Sequence, residues 1–436
     1  AKKKMLKKIK NIIIKIDILL FQKFGFEKKL YFLENMKEAK EIFQLLNLNE
    51  NSNTINFVGG CVRKAINSEV IDDIDLATTL EPQEVKNKLN KNNIKVIDTG
   101  ISHGTLTIIL NKKKFEITTL RKDVQTDGRH ANVQFTKNWE EDALRRDFTI
   151  NAIYGNIDGN IFDPQNGIAD LKIGKIKFIG STEERIQEDY LRILRYIRFF
   201  TQYSKFEHEL ENIQSIKKNI NGLNKVSNER IFDELKKILS LKNIHSLFLN
   251  NESKDIITSI FPQFKFYDRL KILSKLNLNA EQRKKYDYKM ILALLTVDHT
   301  DNFEFFCYKY KTSNKVKNKF KNIFKYYEAL KQKNFYSKNN IKKLLYLTDK
   351  DSVKDLLFFA KCISKAVSVS IIDELLEFIV TYKIPKFPVS GNFLKIHGYE
   401  SGQEMGKKLK LIEEKWIENN FILDEDYLKK SLNKIK

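Results

Sequence analysis

A chain of 436 residues is longer than one ordinary core can organise, so two to four domains are expected. Hydrophobic residues make up 42%, which excludes a disordered protein, and a formal charge of +22 favours nucleic acid or nucleotide as the partner over an acidic protein or a membrane surface. Cys61, Cys307 and Cys362 are too few and too scattered for a disulfide framework or a zinc site, and fit a reducing cytosol or an equivalent compartment.

Residues 1 to 30 open with a lysine cluster and then Ile12 to Phe21, where Lys15 and Asp17 interrupt a stretch too short to span a bilayer. No small-residue cleavage site follows, so a basic, partly helical N-terminal extension is expected rather than a targeting segment. From Lys29 to Leu48 the apolar residues Leu30, Leu33, Met36, Ile42, Leu45 and Leu46 predict a helix.

Asn56 to Thr79 is the most informative stretch. Phe57 and Val58 end a buried strand, and Gly59-Gly60 permits a tight turn and a close approach of the backbone to a ligand. Cys61 to Ile66 then predicts the first turns of a helix, whose free N–H groups suit a phosphate, with Arg63 as a forked donor. In Asp72-Asp73-Ile74-Asp75-Leu76 the acidic and apolar residues alternate. A strand therefore puts Asp73 and Asp75 on one face and Ile74 and Leu76 in the core. Two parallel carboxylates repel unless a cation lies between them, and Mg²⁺ is the natural candidate. A Gly-Gly turn or an Asp-x-Asp strand end alone would be unremarkable; the two in this order read as a nucleotidyl-transfer site.

Farther on, Glu84 to Leu89 predicts a helix after Pro82. His103 to Leu110 and Lys114 to Leu120 are β-branched strands joined by a turn at Asn111-Lys112-Lys113. Glu116 on the second strand is either a third carboxylate beside Asp73 and Asp75 or an acceptor for basic neighbours. Arg121 to Phe135 is polar and poor in core formers, and reads as a loop. In Glu140 to Ala152, Arg145 and Arg146 offer two guanidinium forks that Asp147 and Asn151 would orient; the plain alternative is a surface ion-pair cluster. Asp163 to Leu171 reads as a structured turn. Arg185 to Phe200 predicts one amphipathic helix, with Leu191, Leu194 and Ile197 as its apolar stripe. Glu188, Asp189 and Arg192 form a polar patch beside that stripe, explicable as a simple ion pair. Ser227 or Asn228 caps a following helix. Residues 236 to 383 are helical and Lys-rich, with mixed aromatic and basic runs at Tyr308 to Lys311 and Phe324 to Tyr327 that suit either RNA or a core edge. Pro385 and Pro388 mark a linker before a segment with Gly398, Gly402 and Gly406 evenly spaced.

In this order, Gly-Gly-x-x-Arg, Asp-x-Asp, Arg-Arg-Asp…Asn-Ala and Glu-Asp-x-x-Arg resemble the class II tRNA nucleotidyltransferases (CCA-adding enzymes) and the bacterial poly(A) polymerases, in the polymerase β superfamily. The resemblance covers 56 to 239 strongly and the tail weakly. It implies an α+β protein: a small mixed-sheet nucleotidyltransferase head followed by an all-helical neck, body and tail. The divisions expected are a basic extension at 1–30, a head at 31–170, a neck at 171–240, a body at 241–384 and a tRNA-binding tail at 385–436. The activity implied is template-independent addition of CCA to the tRNA 3′ end from CTP and ATP, with Mg²⁺ held by Asp73 and Asp75.

By the same resemblance Glu116 stands where the family has an acidic residue near the metal, and Asp73, Asp75 and Glu116 are the catalytic candidates. Gly59, Gly60, Arg63, Arg145, Arg146, Asp147, Asn151, Glu188, Asp189, Arg192 and Arg195 are the nucleotide-binding candidates, with Asp189 and Arg192 reading the base edge. Glu229 and Arg230 match a motif that supports the neck. The segment 121 to 135 resembles the flexible loop used to switch from C to A addition. Two departures stand out: Lys64 follows Arg63 where the family usually has an acid, and Asn392-Phe393 replaces Asp-Leu in the tail. The alternatives are a poly(A) polymerase, an enzyme adding CC or A only, and a catalytically silent RNA-binding protein. No membrane and no protein partner are expected, and the compartment expected is cytoplasmic with an organelle left open.

Overall fold

The computed structural model describes residues 33, 36–47, 54–100, 103–126, 131–424, 426 and 428. The expected N-terminal extension lies outside the described residues. The chain divides into two compact units, 1–256 and 257–436.

The first unit is built on a mixed sheet. Its strands are β1 (Ile55–Val58), β2 (Ile74–Thr78), β3 (Val96–Gly100), β4 (Thr105–Leu110) and β5 (Lys113–Thr119). A separate hairpin follows, β6 (Arg121–Thr126) with β7 (Ala131–Phe135), and then the short β8 (Tyr154–Gly155) and β9 (Ile161–Phe162). Among the described residues the main sheet runs β3-β4-β5-β2-β1-β8-β9. Only the β2–β5 pairing in it is parallel. The central strands are apolar and buried, and their hydroxyls are satisfied internally: Thr78 Oγ1 donates to Thr54 O at 2.7 Å and Thr119 Oγ1 to Leu80 O at 2.8 Å. The β4–β5 turn holds Asn111 and Lys112 at φ 50° and 67°, the left-handed pair that a two-residue hairpin needs.

Helices cover this sheet. α1 (Lys37–Leu46) buries Ile42, Phe43 and Leu46, and the Phe43 ring sits 4.8 Å from Phe57. α2 (Gly60–Ile66) follows β1, and α3 (Pro82–Lys91) begins with proline, whose missing N–H costs nothing there. α4 (Trp139–Leu144) is capped by Asn138, which accepts from Glu140 N at 2.9 Å. The structured turn expected over 163–171 covers only the residues before Gly167, where α5 (Gly167–Ile173) begins; the Asp163 carboxylate joins the two, accepting from Gly167 N at 2.8 Å and Ile168 N at 2.9 Å. A Cβ on Gly167 would meet Thr149 O at 2.0 Å. Next come α6 (Thr182–Glu188), α7 (Arg192–Tyr203), α8 (Leu210–Asn219), α9 (Asn228–Leu239, capped by Ser227), α10 (Ile244–Leu247) and α11 (Asn251–Ile260).

Two further expectations need correction. The single helix over 185–200 is broken between α6 and α7: Asp189 is extended (φ −150°, ψ 102°) and its Oδ1 accepts from Leu191 N at 3.1 Å. A short acidic side chain that bonds the local backbone competes with the helix. The expected loop over 121–135 is the β6–β7 hairpin where it is described, with 127–130 outside the described residues. Its stem is tied to the head, because Thr136 N donates to Leu120 O at 2.9 Å and the Phe135 ring occupies the place of a Gly104 side chain, 2.7 Å from the ideal Cβ.

The second unit is helical among its described residues: α12 (Asp268–Lys275), α13 (Ala280–Lys285), α14 (Tyr288–Thr296), α15 (Asn302–Lys309), α16 (Asn314–Tyr326), α17 (Lys338–Leu347), α18 (Lys350–Ala360), α19 (Val369–Thr381), α20 (Gly391–Ile396) and α21 (Gln403–Glu418). Its buried Arg269 is capped by Leu294 O, Val297 O and the Tyr327 hydroxyl at 2.7 to 3.0 Å. Tyr310 and Tyr327 are core residues, whereas Tyr308 is exposed, so the mixed aromatic and basic runs are mainly core edges. Among the described residues nothing lies within 4 Å of a Cβ added at Gly398, Gly402 or Gly406, so tight packing against them is not why these are glycine.

Candidate active site

One cavity of about 720 Å³ in the first unit gathers most of the candidates. Gly59, Gly60, Arg63, Asp73, Asp75, Arg145, Arg146, Asp147, Asn151, Asp189, Arg192 and Arg195 line it; Glu116 and Glu188 are not among the lining residues. The Gly-Gly turn supplies one edge. Gly59 lies at φ +67°, ψ −118°, a conformation that L side chains rarely adopt. Gly60 is unstrained, but a Cβ there would stand 3.8 Å from Asp75 Oδ2 and narrow the space beside that carboxylate.

Asp73 comes just before β2 and is exposed, while Asp75 lies within β2 and is half-buried; Ile74 and Leu76 between them are buried in the core. Asp75 is paired in register with Glu116 across the parallel β2–β5 ladder. Burial, the Glu116 charge and, to a smaller extent, the Asp73 charge push its carboxyl up to about 6, against the pull of Arg146. The neighbouring cations are committed elsewhere: Lys114 to Glu116 at 2.6 Å, Arg146 to Asp142 at 3.0 Å, and Lys64 to Asp72 at 2.9 Å. Glu116 accepts from Lys114 and also stands in register beside Asp75, which is compatible with both readings of it. Lys64 has its own acidic partner in Asp72.

The opposite wall carries the arginines. The residue that orients Arg145 and Arg146 is the buried Asp142, not Asp147 and Asn151. Asp142 Oδ1 accepts from Arg145 Nε at 2.8 Å, and Oδ2 accepts from Arg146 Nη2 at 3.0 Å and from the Tyr154 hydroxyl at 2.7 Å. Burial opposes its charge, yet Arg146 and Arg145 hold its carboxyl well below the usual range. The sequence signal was present, because a helix places Asp142 one turn before both arginines. Asp147 accepts from Asn151 Nδ2 at 2.9 Å and Arg195 Nε at 2.6 Å; burial pushes it up, but Arg195 and Asn151 outweigh that and bring it to about 2.

Arg63 is buried. Its Nη1 donates to Asn151 Oδ1 and its Nε to the Tyr203 hydroxyl at 3.2 Å, and its guanidinium lies 4.7 Å from the Phe199 ring centre. Arg198 stacks on the same ring at 4.1 Å and is held by Glu234 at 2.5 Å. Phe199, Tyr203, Arg198 and Glu234 were not singled out from sequence; only the packing of α7 against α2 and α9 reveals them.

At the α6–α7 break, the Glu188–Arg192 ion pair is present at 2.6 Å. Arg192 Nη1 also donates to Arg185 O at 2.9 Å and Nη2 to Arg145 O at 3.2 Å, so among the described residues two of its five N–H donors stay uncommitted. Asp189 Oδ2 accepts from Arg230 Nη2 at 2.9 Å. Cys61, in the turn of the Gly-Gly helix, is a free and buried thiol near 3.4 Å from Val58 O and Asp75 O. Burial and the Asp75 charge push it up to about 12.

A mixed sheet that presents a Gly-Gly turn and two acidic residues to an arginine-lined cavity defines a nucleotidyltransferase head. Accordingly, a family profile described as "Poly A polymerase head domain" matches residues 55–177, and one described as "Probable RNA and SrmB- binding site of polymerase A" matches 205–267. The chain is 32% identical over 417 residues to the Mus musculus protein named "CCA tRNA nucleotidyltransferase 1, mitochondrial", covering 92% of this chain and 91% of that one. It is 34% identical to the Danio rerio protein of the same name over 411 residues, with the same coverage, and 30% identical to a Lactobacillus helveticus CCA-adding enzyme over 391 residues, 86% of this chain and 92% of that one. Its fold is that of the Bacillus stearothermophilus CCA-adding enzyme in complex with CTP, with a TM-score of 0.70 at 23% identity over 91% of this chain and 96% of that one. The Thermotoga maritima enzyme complexed with tRNA gives 0.63 at 21% identity, over 94% and 98%. The chain belongs to the CCA tRNA nucleotidyltransferase family.

Proposed function

We propose that the Asp73/Asp75 wall and the Asp142-anchored arginine wall together bind a nucleoside triphosphate for transfer to tRNA. The reaction is template-independent addition of CCA to the 3′ end of tRNA from CTP and ATP. The tRNA 3′-oxygen bonds to the α-phosphorus, and the bond from that phosphorus to the pyrophosphate oxygen breaks. A poly(A) polymerase, partial addition of CC or A, and a silent RNA-binding protein are not favoured, since the similarity to CCA-adding relatives extends along most of the chain.

Asp73 and Asp75 would hold a divalent ion, Mg²⁺ in this reading. The fit rests on an acidic pair with no ion-paired cation among the described residues and on the raised value of Asp75. Among the described residues no group of three His, Cys, Asp or Glu side chains is placed to hold a metal; an ion on two carboxylates would complete its shell with substrate phosphates and water. Bound there, it would supply acidity to the 3′-hydroxyl and charge neutralisation to the triphosphate. The chain's own residues position the substrate. Gly59 and Gly60 keep the edge beside Asp75 open, and Arg145 and Arg146, fixed by Asp142, present positive charge to the sugar-phosphate. Asp147 and Asn151 hold Arg195 and Arg63 rigid at the same wall. The uncommitted donors of Arg192 and the carboxylate of Asp189 would read cytosine or adenine through its amino group and the adjacent ring acceptor. Glu188 fixes Arg192. Glu116 holds Lys114 and raises the proton affinity of Asp75.

We assign 31–170 to a head, 171–240 to a neck, 241–384 to a body and 385–436 to a tail that contacts tRNA. The compartment is cytosolic or organellar; three buried free cysteines suit either reducing space, and relatives bear the name mitochondrial. Among the described residues no helix is long and apolar enough to cross a membrane. The Asp73/Asp75 pair, without an ion-paired cation among the described residues and sharing its cavity with the arginine wall, carries the reading. Primer extension on tRNA transcripts ending before CCA, after C and after CC tests it: completion of CCA on all three is expected, and a long A tail or a stop after CC would overturn it.

A further inference from the structure

The loop from 67 to 73 ends in Asp73, so whatever holds that loop sets where the carboxylate stands. Its start is fixed by the way α2 stops. Ser68 adopts φ +56°, Ser68 N donates to Ala65 O at 3.1 Å, and Glu69 N donates to Lys64 O at 2.8 Å, the two closing bonds of a Schellman turn. Glu69 there meets the C-terminal end of α7. Its Oε2 accepts from the Tyr203 hydroxyl at 3.2 Å and from Gln202 Nε2 at 3.3 Å, and its Oε1 from Asn67 Nδ2 at 3.1 Å. The same hydroxyl accepts from Arg63 Nε at 3.2 Å and Gln202 Nε2 at 3.0 Å, which with its own donation fills its hydrogen-bonding capacity. At the other end of the loop, Lys64 Nζ binds Asp72 Oδ2 at 2.9 Å, one residue before Asp73. Asp72 is 65% exposed, so this pair adds little to stability; what it supplies is a second fixed point.

We propose that Tyr203, Glu69 and Lys64 are positioning residues for nucleotidyl transfer: together they latch the loop that delivers Asp73 to the far end of the helix that begins at Arg192. The latch spans 64 to 72 on one side and 202 to 203 on the other, so the metal-facing loop and the base-facing helix share one frame. Lys64, which departs from the family pattern, has a specific job in it. This inference rests on Asp73 being a metal ligand.

The test uses the full chain with Tyr203→Phe, Glu69→Gln, Lys64→Asp, the charge exchange Lys64→Asp with Asp72→Lys, and Asp73→Ala. Mn²⁺ affinity is read by electron paramagnetic resonance without nucleotide or tRNA, beside kcat and KM for CTP incorporation. Each of the first three is expected to lower Mn²⁺ affinity and kcat about tenfold, the lower end for groups that support a metal ligand from behind. The melting temperature should stay near wild type in Glu69→Gln and Lys64→Asp, and the charge exchange should recover what Lys64→Asp loses. Loss of Mn²⁺ affinity in Asp73→Ala but in none of the latch variants would overturn the latch and leave the metal assignment standing. Mn²⁺ binding that survives Asp73→Ala would overturn the metal assignment, and the latch with it.

Discussion

Asp75 and Asp147 line the same cavity and are both withdrawn from water, yet the fold treats them in opposite ways. Asp147 is supplied with internal partners, Arg195 and Asn151, and its carboxyl falls to about 2. Asp75 has Glu116 and Asp73 for neighbours and rises to about 6. Burial penalises both charges, so the difference comes from the partners alone. One wall is neutralised within the chain; the other has no paired cation among the described residues. An acidic cluster inside a protein can thus be sorted into scaffold and binding groups by asking who neutralises it.

The largest effect should come from removing the wall that is not neutralised. Asp73→Ala or Asp75→Ala should cut nucleotide incorporation by about a thousandfold, with tRNA binding retained in a gel-shift assay. Next, Asp142→Asn on the neutralised wall should destabilise the protein by about 3–5 kcal/mol in chemical denaturation, because it leaves two arginines without their buried partner. The third effect has the opposite sign. Metal-free Asp75→Asn should be more stable than wild type at pH 7 by on the order of 2 kcal/mol. Because the folded value of Asp75 lies above its ordinary 3.8, its carboxyl supports the fold fully below that pH, and the support is lost as pH rises towards 6. The stabilisation by Asn should therefore fade as both proteins are taken down to pH 4, as read by melting temperature. Asp147 runs the other way: its contribution is present above 3.8 and is lost as pH falls towards 2. Smallest is the effect of pH on turnover. Incorporation should decline on the acid side of about pH 6, as protons compete for Asp75, and added divalent ion should shift that limb downward. An acid limb indifferent to metal concentration would blur the distinction between the walls.

Much of this was legible in the sequence because it depends on local rules. The alternation of Asp73 and Asp75 with Ile74 and Leu76 predicts two carboxylates facing one space, and both line one cavity. Asn111-Lys112-Lys113 reads as a turn between two β-branched runs, and Asn111, a residue that tolerates left-handed backbone, does take it, with Lys112 carried along. What was not legible depends on competition or on distance. The helix break at Asp189 turns on one side chain choosing the backbone of Leu191 over solvent. The 121–135 hairpin has no apolar pattern of its own; part of its anchorage is Phe135 over Gly104, thirty-one positions away in the chain. Among the adjacent acids Glu140, Glu141 and Asp142, helical spacing puts Asp142 one turn before both arginines, but its third partner, Tyr154, follows only from packing.

The cysteines described above have a practical corollary. Thiolates, not thiols, react with alkylating probes. Burial pushes Cys61 and Cys362 up to about 12 and raises Cys307 as well, so at neutral pH all three are protonated and shielded. A cysteine introduced at an exposed position, such as Lys112 in the β4–β5 turn, would stand alone as a reactive handle, and the natural chain is already a quiet background for fluorescent or spin labelling.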